Sequence, residues 1–568
     1  MEEKPPNSAE LSSSDEQHAP VAQNPTKDDS SSTLSASNLA LDPTDLDAKT
    51  EPAKDGEREY IAGFKLFMVI AAVTLVCFLV MLDTSIIVTA IPKITTHFHS
   101  LEDIGWYGSA YQIASASLQP LTGRIYTNFS TKWTYLSFFL IFELGSLLCA
   151  ISTSSKMLIV ARAVAGLGSS GLLNGSMTII ASSVPMYKSP ALIGIMMGFG
   201  QMGIVLGPVL GGAFTEYSTW RWCFYLNLPV GAVAALLLVI VQIPDQVEKP
   251  SISLVKETVL HKLDLIGFVL FAPAAIQLLL ALQYGGNKFA WNSSTVIGLF
   301  CGSGVTFIVF LLWEHRQKER AMIPLAMLRM RRVWSSCLTM ACIMALVLCN
   351  SYYLPVYFQA VKNVSPILSG VYMLPGILSQ LVFAVMSGLL IGKLGYYLPW
   401  AVFSGVATAI GNGLLSTFKP ETPTAKWVGY QILLGAGRGS GFQTPMVAVQ
   451  NALPPAQVSV AMSVLIFAQT LSGAVFLTFA NVIFDNGLRT LVPQYAPSVD
   501  PEALIAAGAS GIRNVVAGNN LAGVLRAYCN SIDHVFYMAA ALGVGIFASS
   551  WGMGWKDVRK KKPTGDKV

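Results

Sequence analysis

Long apolar runs are the feature that most constrains this chain. About fourteen of them approach the roughly 20 residues that a helix needs to cross the hydrocarbon core of a bilayer. Hydrophobic residues make up 53% of the chain and charged residues only 12%, about half the share found in soluble domains. We therefore predict an all-α polytopic protein embedded in a lipid bilayer. The runs cover approximately 64–91, 106–124, 133–151, 157–183, 191–216, 222–243, 263–283, 294–313, 334–357, 366–392, 397–417, 426–450, 459–484 and 534–554.

Basic residues in the connections predict the orientation, because cytosolic loops carry an excess of Lys and Arg. With the N-terminus inside, a dense basic run at 316–332 and the basic tail 556–568 both face the cytosol. Short outside loops hold mostly single basic residues, so both termini are predicted to be cytosolic. Residues 1–59 are polar and Ser-rich without apolar periodicity, which predicts a disordered cytosolic tail.

An internal repeat predicts two related halves. The stretch GLGSSGLLNGSMTIIASSVP at 166–185 aligns with GAGRGSGFQTPMVAVQNALP at 435–454, and identical Gly, Met and Pro residues share one offset of 269 positions. We predict an N-terminal six-helix bundle at 60–245, a linker with two extra spans at 246–320, and a C-terminal six-helix bundle at 321–555. A substrate site between two parallel halves is one transporter design.

The outside connections include one long segment, 485–533, which is predicted to form short amphipathic helices over the outer mouth. Asn292 and Asn363 begin N-glycosylation sequons on outside loops, and their occupancy is left open. The eight cysteines lie mostly inside apolar runs without CxxC spacing. This pattern favours buried thiols over a disulfide framework.

Asp83, Glu143 and Arg162 are ionisable residues deep inside predicted spans. Each lies roughly 8–12 Å below the outer end of its helix, so the three share a depth. A carboxylate that alternates between pairing with an arginine and binding a proton is what a proton-coupled carrier needs. The alternative is a structural ion pair that fixes helix packing.

Arg438 is a fourth charge inside a span. The glycines of GAGRGSG around it let a helix or a substrate approach closely, and hydrogen bonds to Gln431 or Gln443 are the alternative. Other polar and aromatic side chains could line an amphipathic cavity, although interfacial belts and interhelical hydrogen bonds also explain such residues. The substrate-cavity candidates are Tyr111, Gln112, Asn174, Gln201, Asn350, Tyr353 and Arg438.

Glycines cluster in the fifth predicted span, GFGQMGIVLGPVLGG at 198–212. Glycine removes bulk from a helix face, and proline removes a backbone donor and bends the helix. A packing face explains glycines spaced by four, but it explains the adjacent Gly-Pro pair less well. The residues concerned are Gly203, Gly207, Pro208, Gly211 and Gly212.

The sequence lacks the motifs of several function classes. It has no GxxxxGK[ST] phosphate-binding loop, no HExxH metal motif and no GxSxG nucleophile motif. The net charge of +5 is too small to indicate a nucleic-acid partner. We expect no cofactor, no metal and no enzyme activity.

Several stretches together resemble the major facilitator superfamily, and within it the fourteen-span drug:proton antiporter family. They are LDTSIIVTAIP, WYGSAYQ, LIVARAVAGLGSSG, GIVLGPVLGG and TWRWCFYLNLPVG, and FELGSLLCA resembles fungal members often found with secondary-metabolite clusters. The resemblance implies two six-helix bundles with two extra central helices, a rocking alternating-access cycle and proton-driven export. It further implies that Asp83 is the first-span acidic position, Arg162 the proton-linked arginine and Gly207-Pro208 the antiporter motif.

One loop departs from the family pattern. Gly-x-x-x-Asp-Arg-x-Gly-Arg-Lys usually joins the second and third spans, whereas this chain has GRIYTNFSTK at 123–132. Thr127 and Asn128 replace the Asp and Arg, which puts the charge relay at the inner gate in doubt. Arg124 is a candidate partial substitute.

These observations predict a proton-coupled efflux transporter for small amphipathic organic compounds, such as a fungal toxin or secondary metabolite, that confers self-protection or drug resistance. Its expected partners are the organic substrate, protons and lipid, and it is expected to be a monomer. The plasma membrane is the expected location, with the vacuolar or vesicle membrane as the alternative. Import of an iron chelate or another small organic solute is the alternative function, and a non-transporting membrane sensor is a third.

Overall fold

The computed structural model describes residues 60–100, 103–245, 249, 263–286, 288–516 and 518–559. Regular secondary structure in these segments is helical, apart from two isolated β-bridges. The predicted all-α class is therefore confirmed. Three predicted segments lie wholly or partly outside the described residues: the tail 1–59, the first part of the linker (246–248 and 250–262), and the end of the basic tail, 560–568.

The N-terminal half pairs its helices in a simple pattern. Helix α1 packs on α5, and α4 packs on both α2 and α3. Ser154 caps α4, since its side chain accepts a hydrogen bond from the backbone N–H of Met157. The helices are α1 (Gly63–Phe98), α2 (Ile104–Asn128), α3 (Thr131–Ala150), α4 (Ser155–Ser183), α5 (Ser189–Tyr217), α6 (Trp222–Tyr225) and α7 (Asn227–Ile240).

Two extra helices follow, α8 (Leu265–Tyr284) and α9 (Ser294–Gln317), and they pack on each other. Asp264 caps α8 and Ser293 caps α9 through side-chain oxygens that accept backbone N–H groups. Helix α8 also contacts α2. Helix α9 exposes much of its apolar surface, as expected for a helix that faces lipid.

The C-terminal half repeats the pairing of the first half. Helix α11 packs on α16, and α14 packs on both α12 and α13. This recurrence supports the predicted two-bundle architecture. The helices are α10 (Leu325–Arg329), α11 (Arg331–Val356), α12 (Pro366–Leu394), α13 (Leu398–Leu415), α14 (Thr424–Gly441), α15 (Thr444–Ala452), α16 (Pro455–Tyr495), α17 (Pro501–Val515) and α18 (Gly518–Ser550).

Twelve helical segments among the described residues are long and apolar enough to cross a membrane. The predicted spans 106–124 and 426–450 also lie on helices, α2 and α14–α15, but are not among the twelve. They carry polar side chains that bond to neighbouring helices: Gln119 donates to Thr470 Oγ1 over 3.1 Å, and Gln431 to the backbone oxygen of Tyr372 over 3.0 Å. All fourteen predicted runs are therefore helical, and twelve of them meet the criterion of length and hydropathy.

The segment 485–533 is largely helical and contains no long irregular loop. Helix α16 continues to Tyr495, α17 covers 501–515, and α18 begins at Gly518. Helix α17 is short and amphipathic, as expected for part of this segment. The prediction that the segment lies over the outer mouth remains a prediction.

The two halves meet along two helix pairs, α2 with α16 and α5 with α12. Hydrogen bonds join them at the predicted cytosolic end, where α4 ends and α16 begins. Thr178 Oγ1 lies 3.2 Å from Ser459 Oγ, and Ser189 Oγ donates to Gln450 Oε1 over 3.0 Å. Polar contacts therefore hold the halves together at that end.

Candidate functional site

Asp83 of α1 and Arg162 of α4 form an ion pair inside the N-terminal half. Asp83 Oδ2 lies 2.5 Å from Arg162 Nη1, and the two side chains are 0% and 1% exposed. Desolvation of two such charges costs several kcal/mol per ion, so mutual attraction and further hydrogen bonds have to offset it. The contact agrees with the common depth predicted for these residues.

Both charges have further polar partners. Arg162 Nε donates to the backbone oxygen of Tyr107 over 3.0 Å, and its guanidinium carbon lies 4.5 Å from the centre of the Tyr111 ring. Asn227 Nδ2 donates to Asp83 Oδ1 over 3.2 Å. Sequence analysis missed Asn227 and Tyr107, although a lone amide in the stretch FYLNLPVG was a usable signal for Asn227.

Glu143 of α3 does not join this pair. Both of its carboxylate oxygens are buried and have no hydrogen-bond partner among the described residues. The carboxylate lies against Gly231 of α7, where an added Cβ would collide with Oε1. Gly231 lies one helical turn after Asn227, which bonds Asp83, so Glu143 is a neighbour of the ion pair without a hydrogen bond to it, and its part in proton coupling remains a prediction.

The glycine-rich face of α5 brings that helix into direct contact with α1. A Cβ on Gly203 would lie 2.6 Å from the Phe78 oxygen, and one on Gly207 would lie 2.8 Å from the Ile86 nitrogen. Ser85 Oγ also donates to the Gly203 oxygen over 3.1 Å. These contacts surround the stretch of α1 that carries Asp83.

Two other members of the predicted motif differ from each other. Gly211 lies on the same contact face, since a Cβ there would be 2.5 Å from the Ile86 oxygen. Gly212 faces open space, with no atom within 4 Å of an added Cβ. Pro208 lies inside α5. The motif therefore contains three contact glycines, and Gly212 is not one of them.

The substrate-cavity candidates lie in different environments. Asn174 Nδ2 donates to Thr122 Oγ1 over 3.0 Å, and Asn350 Nδ2 donates to the Leu346 oxygen over 3.0 Å. These bonds fit the alternative of hydrogen bonding within and between helices. Gln201 is buried and Gln112 is exposed.

Tyr353 bonds to a residue that lines a described cavity. Its hydroxyl donates to Asn481 Oδ1 over 2.8 Å, and Asn481 lines a cavity of about 170 Å³ between α8 and α16. Gln283 and Asp485 also line this cavity. None of the seven candidates lines this cavity itself, and their grouping around one substrate cavity remains a prediction.

Arg438 of α14 is 6% exposed and has neither a hydrogen bond nor an ion pair with another described residue. The amides considered as its partners bond elsewhere. Gln431 donates to the Tyr372 oxygen over 3.0 Å, and Gln443 donates to the Ala384 oxygen over 3.1 Å. These bonds use the amide nitrogens, and Arg438 forms no hydrogen bond with either amide oxygen, although Gln431 Oε1 and Arg438 Nη2 both lie 3.4 Å from the Cβ position of Gly376.

The altered inner loop makes a different set of bonds from those of an Asp-Arg relay. Arg124 Nε donates to the Ala321 oxygen over 3.0 Å, which links this loop to the segment after α9. Thr127 and Asn128 bond to backbone oxygens of their own helix, at Gly123 and Arg124. Arg124 thus supplies a long-range contact, and Thr127 Oγ1 also lies 3.5 Å from the Ala456 oxygen of the other half.

Comparisons with known proteins agree with this architecture. The chain is 57% identical over 529 residues to "MFS-type transporter pigP" of Monascus ruber, covering 93% of each protein. It is 53% identical over 525 residues to "Efflux pump mlcE" of Penicillium citrinum, covering 91% of this chain and 95% of the relative. A structure of the proton:xylose symporter XylE shares the fold at 15% identity, with a TM-score of 0.55 over 87% of this chain and 97% of that one. The family profile described as Major Facilitator Superfamily matches residues 73–477, and this chain belongs to that superfamily.

Proposed function

We propose that this chain is a proton-coupled exporter of small amphipathic organic compounds, such as a fungal toxin or secondary metabolite, and that export confers self-protection or drug resistance. The observation that carries the proposal is the fully buried Asp83–Arg162 pair. It occurs in a chain that is 53% identical to a protein named as an efflux pump. The pair supports coupling, and the relative supports the direction of transport.

The coupling mechanism follows from the cost of an unpaired charge in the membrane. While Arg162 and Asn227 contact Asp83, the carboxylate is compensated. A movement of α1 relative to α4 would separate Asp83 from Arg162, and the freed carboxylate would bind a proton rather than remain charged. The close contact of α1 with α5 lets the two helices move together, which would link this step to the change of access.

Efflux in a yeast that lacks its own drug pumps tests this proposal. Wild type, Asp83→Asn and Arg162→Ala are expressed at matched surface levels, and retained compound is measured across fungal metabolites and amphipathic drugs. We expect wild type to lower retention and both variants to match empty cells. Arg526→Gln, which removes an exposed arginine from α18, is the matched control and should behave like wild type.

The outcomes separate export from coupling. If wild type retains as much of every compound as empty cells do, the export proposal is wrong. If both variants still lower retention like wild type, export stands and the Asp83–Arg162 pair has only a packing role. Accumulation above the empty-cell level would show import instead.

We also propose a plasma-membrane location, with both termini in the cytosol. Asn292 and Asn363 are exposed, and in this orientation both would face outward. Treatment of surface protein with an N-glycosidase should then shift its gel mobility, and the shift should be absent in the Asn292→Gln, Asn363→Gln double variant. Protease protection of a tag at residue 568 in intact cells would support the cytosolic C-terminus.

A further inference from the structure

Arg438 is a buried arginine without a countercharge among the described residues. Its side chain is 6% exposed, and its Nε is a buried donor without an acceptor among the described residues. A guanidinium stays charged in proteins, and an uncompensated charge is costly inside a membrane. Ionisable side chains in spans usually pair or mark the path of a substrate or ion, and Arg438 is not paired by the described part of the chain.

The position of Arg438 suits a substrate site. It lies 14 residues from either end of the segment 424–452, about 21 Å along the helix and thus near the bilayer midplane. Transporters built from two halves bind substrate near the midplane, between the halves. Helix α14 packs tightly on α12 at Gly435 and Gly439, and α12 in turn packs on α5 of the other half.

A glycine of α12 lies beside the guanidinium of Arg438. A Cβ on Gly376 of α12 would lie 3.4 Å from Arg438 Nη2 and 3.4 Å from Gln431 Oε1. Because Gly376 has no side chain, no methyl group of α12 contacts Nη2 at this point. Gln431 adds a polar group at the same place.

We propose that Arg438 binds the carboxylate of an organic acid, so that compounds carried by this protein include amphipathic anions. This inference rests on the proposed export function and specifies its substrate class. The guanidinium has a planar fork of N–H donors that matches two carboxylate oxygens, and such charge-assisted pairs are strong where water is excluded. A bound carboxylate would supply the countercharge that the described chain does not supply.

Ligand binding to the purified full-length protein in lipid nanodiscs tests the inference without requiring transport. Pyrenebutyric, decanoic and benzoic acids are each compared with their methyl esters, which keep the apolar body and remove the charge. For at least one pair we expect wild type to bind the acid about tenfold or more tightly than the ester. Arg438→Gln should abolish this preference and Arg438→Lys should retain part of it, whereas Arg526→Gln should leave it unchanged.

Two results would overturn the inference. One is the absence of an acid-over-ester preference in wild type for all three pairs, and the other is a preference that persists in Arg438→Gln. Thermal unfolding without ligand is an independent check: Arg438→Met should melt no lower than wild type, because it removes a charge without a partner, and a large drop would show that the chain itself pairs with Arg438. Failure of export would appear in the yeast efflux measurement, not in these binding results.

Discussion

The fourth helices of the two halves hold their buried arginines in different ways. Arg162 lies seven residues, about 10 Å, from the outer end of α4 and contacts Asp83, whereas Arg438 lies about 21 Å into the segment 424–452 without a partner among the described residues. The repeat aligns Arg162 with Gln431, not with Arg438. The two related halves thus hold a buried arginine at two depths, one paired with a carboxylate of the chain and one without a partner among the described residues.

One pair of corresponding helices, α1–α5 in the first half and α11–α16 in the second, also differs between the halves. In the first half, Gly207 of α5 meets the backbone of α1 at Ile86. In the second half, Gly473 of α16 meets the end of the Leu348 side chain of α11. Backbone contact permits little adjustment, whereas a leucine side chain can rotate away. At these two contacts, the α1–α5 pair is therefore packed more rigidly than the α11–α16 pair.

Breaking the charge pair should have the largest effect. Arg162→Met leaves Asp83 buried without its countercharge, and loss of one partner of a buried pair costs about 3–5 kcal/mol. Thermal unfolding of purified protein should show a large drop for Arg162→Met and a smaller one for the Asp83→Asn, Arg162→Met double variant. Both variants should lose efflux. Equal drops in Arg162→Met and Arg438→Met would remove the contrast between the halves.

Hydropathy predicted the helices well because lipid cannot satisfy backbone N–H and C=O groups, so an apolar run of spanning length has to be helical. Two of the fourteen predicted runs fall below a strict hydropathy criterion, because α2 and α14–α15 turn polar side chains such as Gln119 and Gln431 toward neighbouring helices. Those contacts depend on helix packing, which hydropathy does not contain.

The site was predictable only in part for a related reason. Depth along a helix follows from residue number, and it correctly placed Asp83 level with Arg162. The rotation of each helix does not follow from residue number, so the sequence could not show that Glu143 lies against Gly231 without a hydrogen bond to the pair. Asn227 was missed because its contact with Asp83 depends on α7 packing beside α1.

Removal of the amide that supports Asp83 should have the next largest effect. Asn227→Ala removes a hydrogen bond to a charged group, and such bonds contribute about 1.5–3 kcal/mol. Asn350→Ala in α11 is the matched control, because that amide donates to a carbonyl of its own helix. Thermal unfolding should therefore fall further for Asn227→Ala. Similar losses at both positions would indicate that cavity formation, and not the bond to Asp83, determines the cost.

Adding a methyl group to the contact glycines should also cost different amounts of stability in the two halves, but the difference should be smaller than for the variants above. Gly207→Ala forces a Cβ against Ser85 and the Ile86 backbone nitrogen, and overpacking of this kind costs about 1–3 kcal/mol. Gly473→Ala meets only the Leu348 side chain and should cost less, while Gly212→Ala faces open space and serves as the control. The loss of melting temperature and of efflux should be largest for Gly207→Ala, smaller for Gly473→Ala and smallest for Gly212→Ala. A Gly473→Ala loss as large as that of Gly207→Ala would contradict the proposed difference in rigidity.

The smallest effect should come from breaking the exposed Arg489–Glu502 ion pair. Its comparison with the buried Asp83–Arg162 pair tests how much burial contributes to the cost of losing a partner. Arg489 of α16 donates to Glu502 of α17 over 2.7 Å, and this hydrogen bond lowers the pKa of the Glu502 carboxyl below its ordinary value. A carboxyl with a lowered pKa stabilises the folded state above its ordinary pKa, and that contribution is lost as pH falls through the lowered value. Water and salt screen exposed pairs, so Glu502→Gln should speed amide hydrogen exchange in 501–515 slightly at neutral pH and low salt, and wild type and variant should converge at acid pH or high salt. If Glu502→Gln instead destabilised the protein as much as Arg162→Met, burial would not be what distinguishes the Asp83–Arg162 pair.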